Sequence, residues 1–167
     1  EPALVKWKSP VALEAWRARL SQIDAHISEL VQAIEGIAAV GTEQDVAALE
    51  DLFRSDRTNT PLKVILARAM GSLTTHDLEN LAEHVTASAI DQHELIVAEM
   101  LSKHTSERAG EQLVKVVKAH NATAQNVAYA AISSGFSETA RELAPEMLVH
   151  PDNNIRQQAV EVFNRFD

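Results

Sequence analysis

Apolar residues recur along this chain with helical spacing, and no segment sustains polar/apolar alternation, so the pattern predicts helices and no strands. The first stripe is the most regular. Leu13, Trp16, Leu20, Ile23, Ile27, Leu30, Ile34 and Ile37 follow one another at alternating steps of three and four. Ser9-Pro10 is a good helix opening, because serine can accept from the free N–H groups of the first turn and proline is pre-set for it. The next strong stop is Gly41, after Val40. The stripe therefore predicts one long helix over about 10–39, with a break near Ser21 as the alternative, which would make a first helix pair. Strict alternation of three and four is also what a coiled coil requires. The same residues thus predict either packing along the chain's own first repeat, widened by Val31 and Ala38, or a homodimer seam.

Beyond residue 41 the pattern repeats. Thr42-Glu43-Gln44-Asp45-Val46 lies over Thr74-Thr75-His76-Asp77-Leu78 at a shift of thirty-two residues, and Ser106 and Ser137 continue the series. Each opening carries a hydroxyl residue able to cap a helix and acids able to complement its dipole. A second set of helices is expected between them, opened by Pro61, Asp91, Thr123 and Pro151-Asp152. Apolar stripes run through both sets, such as Leu113, Val114, Val116 and Val117 after Ser106, and Ile155, Ala159, Val160 and Phe163 after Pro151-Asp152. The connections are short and polar, which makes neighbouring helices antiparallel. A two-helix unit cannot bury its apolar face alone, so successive units are expected to stack.

The last unit carries a family resemblance. His150-Pro151-Asp152-Asn153-Asn154-Ile155-Arg156-Gln157-Gln158-Ala159-Val160 resembles the turn and second helix of HEAT and armadillo repeats, and the likeness of pattern extends over residues 42–167. The units are shorter than the roughly 40 residues usual in that class, and an arginine at the place of Arg156 is not repeated. Tetratricopeptide landmarks are missing. The resemblance implies an all-α, right-handed α-α superhelix of about four helix pairs, preceded by the long N-terminal helix. Residues 1–41 would form an arm and helix packed on the repeats of 42–167 within one continuous domain. In such stacks the second helices line the concave face. That implies a partner-binding row of Lys63, Ala67, Glu99, Lys103, Asn126, Ala130, Gln157 and Glu161 at outward positions.

Composition narrows the function without naming it. Aromatics make up only 4% of the chain, which suits closely packed alanine-rich helices. The net charge is −9, and the region after residue 41 carries about −8 of it, so a nucleic-acid-binding surface is not expected. There is no cysteine, hence no disulfide or thiolate metal site. Its absence fits an exported protein of the bacterial periplasm or envelope slightly better than a cytoplasmic one, and Glu1 in place of a methionine is what a removed signal peptide, an omitted upstream anchor or a trimmed chain would each leave. Membrane association is expected only through such an anchor, although Trp7 between Lys6 and Lys8 has the look of an interfacial residue.

Seven histidines raise a metal-dependent enzyme as a minor alternative, but neither HExxH nor ExxH occurs. Several histidines instead fall at expected helix ends, where they suit the dipole. No nucleophile elbow or phosphate-cradling loop is present. Asn121-Ala122-Thr123 matches the glycosylation pattern, a short and common one. No catalytic residue, metal or cofactor is expected. A binding scaffold for a protein or peptide is the expected function, with a self-associating module through 10–39 as the alternative.

Overall fold

The computed structural model describes residues 10–22, 24–88 and 90–166, apart from the side chains of Pro10 and Phe166. The described residues form ten α-helices and no strand. Ser9, the Val5–Lys8 arm and Ile23 of the first stripe lie outside them. The chain divides into two compact units at Thr74/Thr75, so the sequence division at residue 41 falls inside the first.

In unit 1 the helix expected over 10–39 is two helices, α1 (Leu13–Leu20) and α2 (Ile27–Val40). A broken helix leaves carbonyls without partners. Here the Arg57 guanidinium donates to the carbonyls of Leu20 and Gln22, both at 2.7 Å. The new start is equally well served. The N–H of His26 donates to the Glu29 carboxylate at 3.2 Å, and that carboxylate also pairs with Arg19 of α1 at 2.8 Å. Trp16, Leu20, Leu30, Ile34 and Ile37 are all buried inside the unit, while Ile27 is 53% exposed. The coiled-coil stripe is therefore folded back into the chain's own core. A continuous seam over 10–39 does not exist, and the break near Ser21 creates a first helix pair.

A 3-10 turn at Glu43–Asp45 leads into α3 (Val46–Arg54), and α4 (Thr60–Leu73) closes the unit. Asn59 caps α4 by accepting from the Leu62 N–H at 3.1 Å, with Pro61 in the first turn. Asp45 is 5% exposed. It accepts from Arg17 Nε at 2.6 Å and from the Thr42 N–H at 2.9 Å, which ties α1 to the turn before α3. Packing runs between α1 and α2, between α3 and α4, and between the second helices α2 and α4. Gly36 lets α2 approach α1, because a Cβ there would lie 2.5 Å from the Trp16 ring. Each large side chain buried in this interior contributes about 1.5–3 kcal/mol.

Unit 2 holds α5 (Glu79–Ala87), α6 (His93–Leu101), α7 (Glu107–Val117), α8 (Ala122–Gly135), α9 (Ser137–Met147) and α10 (Asn153–Phe166). The hydroxyl capping expected at four openings holds at Thr42, which forms a capping box with Asp45, and at Ser106, whose Oγ accepts from the Ala109 N–H at 3.2 Å. Elsewhere other groups act. Thr74 ends α4 and donates its hydroxyl to Glu43, so α5 starts only at Glu79, after Asp77 turns through φ 68°. Ser137 lies inside α9, with Phe136 at the cap position. At the second helices, Asn121 caps α8 and Asp152 accepts from the N–H groups of Asn154 and Ile155. Asn121 of the glycosylation pattern is thus occupied as a cap.

The second helices form a row, α6 on α8 and α8 on α10, while α5 packs on α6, α7 on α8 and α9 on α10. Alanine occupies many of the crossings: Ala82, Ala98, Ala109, Ala124, Ala128, Ala140, Ala144 and Ala159 are all fully buried. A single residue, Phe136, joins α8 to α9. Its N–H closes α8 on the Ile132 carbonyl, and its carbonyl accepts from Ala140 in α9, both at 2.8 Å.

Candidate functional site

The residues expected on the binding row separate into three groups. Ala67 and Glu99 are buried, at 0% and 7% exposure, so they do not face outward. The reason is common to both. A second helix packs on its own partner and on the second helices beside it, so its free stripe is narrower than that of a surface helix. Lys63 is half-buried in unit 1, its ammonium 5.3 Å from the centroid of the Phe53 ring. Lys103 is exposed in the turn after α6. Asn126, Ala130, Gln157 and Glu161 remain, and these the fold brings together on α8 and α10 of unit 2.

A groove of about 200 Å³ runs between those two helices, with Ala130, Ser133 and Ser134 on one wall and Gln158, Glu161 and Arg165 on the other. Two bonds set its width. Gln158 Nε2 donates to Asn126 Oδ1 at 3.1 Å, and Arg165 donates to the Ser133 carbonyl at 2.9 Å. Both serine hydroxyls turn back onto α8, Ser133 to the Tyr129 carbonyl and Ser134 to that of Ala131. They are therefore bound to backbone rather than positioned as nucleophiles. Across Glu161 lies a second cleft of about 490 Å³, bounded by Leu148, Arg156, Gln157 and Val160. Glu161 is the shared wall of the two. Val160 and Phe163, expected in the core stripe, are 46% and 39% exposed, and Val149 in the preceding turn is 82% exposed. The sequence signal for these was the same helical spacing that marks core residues, so burial by α8 and α9 had to decide which side was free.

A different cleft, of about 280 Å³, opens between α5 and α7 above α6. Its floor is Val97 and Val116, and its rim carries Glu83, His93, Glu94 and Lys115. Glu83 is occupied by the guanidinium of Arg108, whose hydrogen bonds hold its carboxyl below the ordinary value. Glu79, 9% exposed, accepts from the Ser106 hydroxyl at 2.5 Å. Burial works against its charge, but that bond helps to leave its carboxyl below the ordinary value as well.

Among the described residues, no three His, Asp or Glu side chains are grouped so as to hold a metal ion. His150, at the turn before α10, has both nitrogens engaged: Nδ1 accepts from the Asp152 N–H at 3.0 Å, and Nε2 faces Gln125 Oε1 at 3.2 Å. No described helix is long and apolar enough to cross a membrane. No protein-family model matches the chain, and no curated protein or solved structure matches it.

Proposed function

We propose that the chain's helix pairs are HEAT-like repeats, and that the protein is a non-enzymatic scaffold binding a polypeptide along the second helices of unit 2. One observation supports this above others. Within each unit the second helices of successive pairs pack side by side, and Glu161 on α10 is shared by two clefts, one between α8 and α10 and one between α10 and Leu148 at the end of α9. Their lining mixes small, apolar and polar side chains without a basic row or an aromatic stack. That chemistry suits a peptide segment, which supplies apolar anchors and backbone hydrogen-bonding groups, better than it suits a polyanion. Exposed Val160 and Phe163 beside Glu161 offer the apolar part of such a contact, and the acid favours a basic residue on the partner.

Affinity capture with the full chain, compared with an Ala130→Arg/Glu161→Lys variant, tests the proposal. The variant fills one cleft and inverts the central charge at exposed positions, so far-UV circular dichroism and Tm stay unchanged. Polypeptides retained by the parent and lost by the variant support the α8–α10 face. Equal retention by both places binding elsewhere.

A further inference from the structure

His104 lies in the turn between α6 and α7 and is only 2% exposed. Neither of its ring nitrogens has a hydrogen-bond partner. The main chain of His76 comes near enough to favour a charged ring but does not complete a bond. A neutral imidazole always has one N–H donor and one acceptor, so both are buried without partners, an arrangement that native interiors rarely tolerate. Such a group calls for a physical role or a compensating change of state.

The charged neighbours come from the segment opening α5. Glu79, His76 and Asp77 all act on His104, with Glu79 attracting a proton to it. Asp77 is paired with His76 at the surface, at 2.7 Å, and Arg108 of α7 also acts on Glu79. Glu79 in turn binds Ser106, the cap of α7. The imidazole is therefore coupled electrostatically, through Glu79, to the contact that joins the start of α5 to the start of α7.

We propose that this buried histidine makes unit 2 acid-responsive, so that proton uptake drives His104 out of the interior and loosens the α6–α7 turn with the Glu79–Ser106 contact. Burial disfavours the charged ring more strongly than Glu79 favours it, which holds the imidazole below its ordinary value of 6.5. In the unfolded or locally opened chain the ring titrates normally. As pH falls through about 6.5, the open state therefore takes up the proton first and the closed state loses stability. The loss is complete once pH lies below the value of the buried ring.

Two measurements on the full chain test this. In the first, the His104 ring is followed by NMR from pH 8 to pH 5. The expected midpoint lies below that of the same residue in a short unstructured peptide, with amide exchange of residues 104–106 several-fold faster at pH 5.5 after correction for intrinsic rates. A midpoint equal to the peptide's overturns the proposal. In the second, thermal stability is compared at pH 7.5 and pH 5.5. The parent loses stability between the two, and His104→Met loses clearly less. Glu79→Gln, lacking the carboxylate that favours the cation, loses more than the parent. Should His104→Met fail to fold, the Glu79→Gln comparison and the parent's NMR midpoint still decide. An acid response unchanged in these variants overturns the proposal.

Discussion

The two units solve the same packing problem with different chemistry. Unit 1 buries large side chains, Phe53 among them and Trp16 against Gly36, and ties its loose ends with arginine. Arg17 holds Asp45, Arg19 holds Glu29, and Arg57 holds the carbonyls of the α1–α2 break. Its buried polar side chains are bonded: Asp45 to Arg17, Thr58 to the Leu52 carbonyl at 2.6 Å, Thr74 to Glu43. Unit 2 packs alanine at its helix crossings and leaves polar atoms inside without partners, on His104, Gln112, Tyr129 and Gln158. Among the described residues of unit 1 the exception is Trp16 Nε1. The difference teaches that close alanine packing fixes helix positions tightly but offers few long side chains to reach and satisfy a buried polar group. A core with arginines at its edge can do so, because the long apolar stem spans the gap.

The largest expected effect breaks unit 1 at its centre. Trp16→Ala removes the fully buried aromatic and should cost about 3–5 kcal/mol. Hydrogen exchange should show protection lost across α1–α4 and retained in α7–α10. Loss of both together would mean that the two units unfold as one.

A matched pair of glycines sharpens the comparison next. An added Cβ at Gly36 meets the Trp16 ring at 2.5 Å, and one at Gly110 meets the Phe136 ring edge at 2.8 Å. Overpacking of this kind costs about 1–3 kcal/mol. Trp16 is enclosed and cannot yield, whereas Phe136 is only half-buried and can swing outward. Gly36→Ala should therefore fall at the top of that range and Gly110→Ala at the bottom, as read from urea midpoints at constant m.

Smaller still is the cap of α7. Ser106→Ala should cost about 1 kcal/mol and speed amide exchange in the first turn of α7. The smallest effect separates the units by pH. Hydrogen bonding from Arg17, opposed by burial and helped by the Thr42 N–H, holds the Asp45 carboxyl below its ordinary 3.8. Its contribution is present above that value and disappears as pH falls through the lower, folded one. The parent should be more stable than Asp45→Asn above 3.8, and that advantage should vanish as pH falls through the folded value, whereas the response assigned to unit 2 through His104 begins near neutrality.

Much of the helix layout was legible because caps and turns are local. Pro61, Ser106 and Asp152 mark starts that the fold uses. The hairpin at 21–26 was harder to see, since steps of three and four continue through it. What marks it is a polar stretch, Ser21, Gln22, Asp24 and His26, with Glu29 three residues beyond His26, yet its carbonyls are satisfied by Arg57 from far along the chain. Of the candidate face, Asn126, Ala130, Gln157 and Glu161 were readable from helical periodicity. Ala67 and Glu99 were not, because periodicity cannot say how many neighbours a helix has. The groove itself depends on Arg165 reaching the Ser133 carbonyl, a contact between residues thirty-two positions apart that no local pattern announces.

Phe136 has one more consequence. Most connections in this chain are loops with some slack, where an added residue lengthens a bulge and little else. At Phe136 there is none, since its N–H belongs to one helix and its carbonyl to the next. Two dihedral angles, φ −135° and ψ 68°, therefore steer all of α9. The rhythm of thirty-two drops to thirty-one across this same junction, between Ser106 and Ser137. A lineage that inserted a residue there would not relax a loop but re-aim the end of the protein, so this joint acts as a fixed elbow on which the last pair's direction was chosen.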